Sequence, residues 1–73
     1  MANIDVKSDV TGIVFEVLVK PGDQVNEGDT LLVLESMKMQ IQVTTLDAGT
    51  VAAVHVKEGD MVEEGQAIVI LQA

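Results

Sequence analysis

A shift of 37 positions lays residues 3–34 over residues 40–71 without a gap, and 13 of the 32 aligned pairs are identical. A repeat of this kind constrains the fold before any other feature, because a unit of about 30 residues cannot bury its own apolar face and must pack on its copy. The shared positions are of two sorts. Val6/Val43, Val14/Val51, Val17/Val54, Val19/Val56, Val25/Val62 and Leu34/Leu71 are apolar, while Gly12/Gly49, Gly22/Gly59 and Gly28/Gly65 punctuate the runs between them.

Each half reads as four short strands. "IDV" and "IQV" alternate apolar with polar residues, "GIVFEVLV" and "GTVAAVHV" carry branched residues at every second or third place, "DQV" and "DMV" are brief, and "TLLVL" and "AIVIL" are continuous apolar runs. Such patterns suit strands, and helical periodicity is missing at any useful length. The repeated Gly-Asp and Glu-Gly dipeptides mark turns, where glycine takes positive φ and aspartate bonds nearby amides. The fold expected is all-β: a flattened β-barrel or sandwich, a barrel-sandwich hybrid, of two four-stranded antiparallel sheets related by an internal pseudo-twofold. Residues 1–73 are expected to form one domain.

Composition removes several functions. Cysteine is absent and His55 is the one histidine, so no zinc site can be assembled, and no metal is expected. Twelve acidic residues against four lysines give a formal charge of −8. That charge disfavours nucleic acid and anionic membrane surfaces as partners, and it suits either plain solubility or fast docking to basic protein surfaces. No apolar run approaches the roughly 20 residues of a membrane-spanning helix. The start, "MANIDVKSD", lacks the cationic flank and apolar block of a signal peptide, so a cytoplasmic location is expected. His55 pairs with Leu18 in the repeat and is expected to face outward from a strand. Glu58, Asp60, Glu63 and Glu64 flank turns and are expected to be solvated. No catalytic residue is expected.

The repeat omits residues 35–39, "ESMKM", the connector between the halves. By symmetry its counterpart is the pair of chain termini, so connector and termini should lie at opposite ends of the molecule. Tight hairpins ordinarily use Asn-Gly, Asp-Gly or Gly-X, yet this one has Ser36, Met37, Lys38 and Met39. Lys20 and Lys57 are repeat mates beside turns and Lys7 lies near a strand end, whereas Lys38 has no structural counterpart. One reading tucks Met37 and Met39 into the core and leaves Lys38 an ordinary surface lysine. In the other, methionines exposed on both sides of the lysine form soft surface that another protein reads.

From Ile4 to Leu71, including the "GDxVxxG" segments and the Met-Lys-Met turn, the chain resembles the biotinyl domain, the carrier module of biotin-dependent carboxylases. The resemblance implies that Lys38 carries biotin in amide linkage, and that Glu35, Ser36, Met37 and Met39 are the neighbours read by biotin protein ligase. It implies a non-enzymatic carrier whose arm moves a carboxyl group between a biotin carboxylase and a carboxyltransferase, as in acetyl-CoA carboxylase. Ser36 stands where the family usually has alanine. The gapless repeat leaves no room for the inserted thumb of many bacterial carriers, so the thumbless type is implied, free-standing or part of a longer subunit. The related lipoyl domains share fold and lysine but usually flank it with Asp and Ala or Val. A lipoyl carrier and an unmodified β-sandwich used as an interaction module are the alternatives.

Overall fold

A computed structural model describes residues 3–73; Met1 and Ala2, which the expected domain includes, lie outside the described residues. Eight strands follow one another: β1 (Asn3–Lys7), β2 (Gly12–Val17), β3 (Gln24–Val25), β4 (Thr30–Ser36), β5 (Met39–Thr44), β6 (Gly49–Val54), β7 (Met61–Val62) and β8 (Ala67–Gln72). They form two four-stranded antiparallel sheets, ordered β1-β8-β6-β3 and β5-β4-β2-β7. The sheets do not close on each other through hydrogen bonds, so the architecture is the sandwich of the expected pair and not the barrel.

Neither sheet belongs to one half of the repeat. Each takes two strands from residues 3–34 and two from residues 40–71, and the turns are interlocked in the same way. Gly22 donates its N–H to the Val51 carbonyl at 2.8 Å, and its mate Gly59 donates to the Val14 carbonyl at 2.9 Å. Gly28 donates to the Thr45 carbonyl at 2.8 Å, and Gly65 to the Ser8 carbonyl at 2.7 Å. Each of these turns thus has backbone polar groups satisfied by the other copy, which couples the folding of the two.

The core is aliphatic. Val14, Leu32, Leu34, Val51, Val62, Ile68, Val69 and Leu71 are fully buried in one cluster between the sheets, nearly all as repeat pairs. The two buried polar side chains, Ser8 and Thr45, are repeat mates whose hydroxyls bond to the carbonyls of Val10 and Asp47. Matching bulges interrupt β2 between Val14 and Glu16 and β6 between Val51 and Ala53. The strands expected over 12–19 and 49–56 end at Val17 and Val54, so His55 lies just past β6 as an exposed residue, with its N–H donated to the Ile68 carbonyl at 2.9 Å.

Glu58, Glu63 and Glu64 are exposed as expected, whereas Asp60, like its repeat mate Asp23, is half-buried because its carboxylate bonds the backbone. Asp23 and Asp60 each accept a hydrogen bond from the amide of the lysine three residues earlier, Lys20 and Lys57, at 3.0 and 2.9 Å. No group of three or more His, Cys, Asp or Glu that could hold a metal occurs among the described residues. No helix is long and apolar enough to cross a membrane.

Gly12 and Gly49 show why two strand positions exclude a side chain. A Cβ at Gly12 would sit 2.7 Å from the Glu35 carbonyl oxygen, and one at Gly49 would sit 2.6 Å from that of Gln72. Gly12→Ala and Gly49→Ala are each expected to cost about 1–3 kcal/mol, the usual range for overpacking against backbone that must shift. The two should part in function, because only Gly12 abuts the end of β4 that carries the Met37–Lys38 turn. Thermal unfolding midpoints should fall together, while biotin attachment at Lys38, which the resemblance implies, should slow in the first variant alone.

Candidate functional site

β4 and β5 pair through to Ser36 and Met39, so the connector expected over five residues is a two-residue turn, Met37-Lys38. The reason is cross-strand pairing. Glu35↔Gln40 and Ser36↔Met39 extend the ladder beyond the core, and a two-residue loop closing such a ladder favours turns with positive φ, at both central residues in type I′, to match the strand twist. Met37 has φ 51° and Lys38 φ 65°, and they are the only non-glycine residues with positive φ among the described residues. At the other turns this conformation falls to Gly22, Gly28, Gly59 and Gly65.

Left-handed backbone costs an L-residue roughly 1–2 kcal/mol, so the turn stores strain that the surrounding ladder over-determines. An outlier of this kind points toward a constraint other than stability. Sequence reading missed it. The available signal was the preference of a two-residue hairpin for positive φ, applied to a connector without Gly or Asn.

The side chains follow from strand phase. On β4, Leu34 points into the core, Glu35 outward, and Ser36 inward again; Met39 shares the face of Ser36. The ladder there has outrun the core, so Met39 remains 63% exposed and Met37, on the turn itself, 92%. The core-tucked reading of the two methionines is therefore corrected. Lys38 and Glu35 are exposed and Ser36 is half-buried.

The turn stands at one end of a body measuring 37 × 17 × 17 Å. Asn3 and Gln72 pair side by side at the end of β1 and β8, and those positions are the repeat mates of Gln40 and Glu35. Turn and termini thus occupy opposite ends, as the repeat predicts. The structure places the five residues 35–39 together as one projecting tip, with the exposed Lys38 on its two-residue turn and the exposed Glu35 carboxylate on the strand that leads into it.

Residues 2–71 match the sequence profile of the biotin–lipoyl family, described as "Biotin-requiring enzyme". The chain belongs to that family. A biotinylated protein TB7.3 homolog of Mycolicibacterium smegmatis is 56% identical over 39 residues, covering 53% of this chain and 55% of that protein. The chain therefore spans little more than half the length of this curated relative. Among solved structures, urea carboxylase of Kluyveromyces lactis superposes with a TM-score of 0.92 at 29% identity, over 99% of this chain and 6% of that one. The lipoyl domain of the 2-oxoglutarate dehydrogenase complex of Azotobacter vinelandii superposes with a TM-score of 0.79 at 26% identity, over 96% of each chain. The family description and the biotinylated relative support biotin as the covalently attached cofactor, and the lipoyl domain shares the fold.

Proposed function

We propose that residues 1–73 form a biotin carboxyl carrier domain in which Lys38 is the attachment residue and biotin its covalent group. One observation carries this reading: the strained two-residue turn holds the Lys38 amine at the apex of a narrow tip, where its neighbours Met37 and Met39 are exposed. A covalent arm fits there, because the turn closes an elongated body of 37 × 17 × 17 Å, and a group carried on it extends away from that body.

An ordinary lysine amine is protonated at neutral pH and a weak nucleophile. In this reading acylation falls to a separate enzyme, biotin protein ligase, which supplies the base. In that step the Lys38 amine attacks the carbonyl of an activated biotin, biotinyl-adenylate; an amide bond forms, AMP leaves, and the ligase takes the amine proton. The domain contributes a pre-ordered turn, so little conformational entropy is lost on docking. Biotin supplies a ureido nitrogen that accepts a carboxyl group at a biotin carboxylase and yields it at a carboxyltransferase. The rigid hairpin keeps that arm on one surface, and linkage sets its working concentration at both sites.

The chain itself is non-catalytic in this reading, a cytoplasmic component of a biotin-dependent carboxylase, of which acetyl-CoA carboxylase is one candidate. The acceptor is set by the carboxyltransferase. Intact-mass spectrometry after incubation with biotin protein ligase, ATP and biotin tests the assignment, and a single biotinyl increment per chain is expected. A bare mass after exhaustive treatment would favour the unmodified interaction module.

The lipoyl reading is favoured by the full-length superposition on a lipoyl domain, and opposed by the methionines. Exchanging Met37 for Asp and Met39 for Ala is expected to lower biotin incorporation and raise lipoyl incorporation when both ligases are present. Equal lipoylation of the unaltered chain would favour the lipoyl carrier.

A further inference from the structure

The pseudo-twofold offers an internal control for every surface position, and along one face it is broken. In the sheet that ends in the Met37–Lys38 turn, Met61 of β7 pairs with Ile13 of β2, Ile13 with Glu35 of β4, and Glu35 with Gln40 of β5. Val14, Leu34 and Val62, their neighbours in sequence, are buried, so this row lies on the outer face. Phe15, the one aromatic residue of the chain, is the extra residue of the β2 bulge, a device that re-aims a side chain.

Ile13 is 49%, Phe15 50% and Met61 70% exposed. Their repeat mates on the other sheet are Thr50, Ala52 and Gln24. The acids follow the same asymmetry: Glu16 and Glu35 are matched by Ala53 and Gln72. Since both sheets have the same backbone and the same bulge, folding does not require these residues. The fold tolerates small or polar ones at the equivalent places.

Val33 adds a further observation. It alternates outward between Leu32 and Leu34, stands apart from the core cluster, and is only 9% exposed; its cross-strand partners on this face are Glu16 and Gln42. The apolar patch is bordered by Glu16 and Glu35, and Glu35 is two residues from the turn.

Three part-exposed side chains fall short of the roughly 800 Å² that each partner of a stable complex buries, and two copies bearing −8 each repel one another. A transient partner with an apolar patch and a basic rim fits better. Among the enzymes that act on Lys38, the ligase alone meets the domain before biotin is attached. A carboxylase or transferase also has the ring to hold, whereas the ligase must find the amine through protein surface.

The geometry points to the outer face of β2 and β7, at Ile13, Phe15 and Met61 with Glu16 and Glu35 as its rim, as the surface on which biotin protein ligase seats to reach Lys38. This rests on the reading of Lys38 as the acceptor. The ligase approaches from one side of the hairpin only.

The test transplants the other half's residues: Ile13→Thr, Phe15→Ala and Met61→Gln together, with Gln24→Ala and Thr50→Ala on the opposite sheet as the control. Single-turnover biotin transfer from ligase, ATP and biotin is followed for each chain. The triple variant should lose at least about tenfold in kcat/KM, chiefly through KM, with an unchanged unfolding midpoint and full labelling at Lys38 when ligase is in excess. The control should stay within twofold of the unaltered chain. Phe15→Ala and Met61→Gln singly should each lose about threefold, which keeps the proposal testable if the triple variant unfolds. Raised salt should weaken transfer to the unaltered chain more than to Glu16→Gln.

A folded triple variant loaded at the normal rate would overturn the proposal. So would normal loading combined with slowed carboxylation of the biotinylated chain, which assigns the face to the carboxylase, or with loss of a dimer in sedimentation, which assigns it to self-association. Failure of the Lys38 reading looks different: the unaltered chain would then take no biotin, or take it at another lysine.

Discussion

Lys38→Arg is expected to abolish biotin incorporation while leaving the unfolding midpoint of the domain unchanged. Arginine keeps the charge and the length of the side chain at the apex, and it occupies the same left-handed backbone position at similar strain, so the hairpin has no reason to rearrange. What it removes is a primary amine that can lose a proton and attack a carbonyl. Lys7, Lys20 and Lys57 remain in this variant and are exposed as well, which makes the experiment informative. Exposure alone does not single out Lys38; its place on a two-residue turn with φ 65° does. Mass spectrometry of the variant after exhaustive ligase treatment should give the bare chain, and Lys38→Ala should agree. Labelling that persists in both would move the attachment site elsewhere.

Leu34→Ala is expected to show the largest loss of stability. Leu34 is fully buried in the core cluster, on the strand that leads directly into the turn. Truncating a buried leucine costs about 2–5 kcal/mol, the spread reflecting how far the cavity collapses. Domains hold roughly 0.05–0.15 kcal/mol per residue, and a cysteine-free chain of 73 residues sits at the modest end. The midpoint should therefore fall by about 10 °C or more, and part of the population should be unfolded at ordinary temperature. Calorimetry checks this directly. Leu71→Ala, at the repeat-related position, should do comparable thermodynamic damage, and the folded fraction of either variant should still accept biotin. Equal loss of biotin acceptance in fully folded protein would show that the core dictates the turn geometry more tightly than the ladder does.

Most of the fold was legible because it is written twice. A gapless repeat of alternating apolar residues and turn glycines leaves few arrangements that satisfy two identical faces, so strand number, sheet number and the opposed positions of turn and termini follow from pattern alone. The strand ends were less legible. Residues 18–19 and 55–56 continue the apolar pattern, yet the chain leaves the sheets at Val17 and Val54, since periodicity records which side a residue faces and not where pairing stops. The connector erred the other way, five residues expected and two found, because Glu35, Ser36, Met39 and Gln40 pair as strand without any apolar signature.

Lys38 stands out in the sequence as the candidate attachment residue by elimination and by its Met-Lys-Met setting. Its conformation could not, because φ depends on how many residues close the ladder, and that number is fixed by β4–β5 register.

The sequence by itself thus determined the all-β class, the two-copy plan, the absence of thiols, and the one lysine outside the repeat. Only the tertiary structure decided that the halves exchange strands between sheets, that Met37 and Lys38 are held in left-handed backbone, and that Ile13, Phe15 and Met61 share one outer face beside the tip. The physical reason is the same in each case. Local pattern sets which side of a strand is apolar, but which strands become neighbours, and therefore which side chains meet, is set by the pairing of segments distant in sequence.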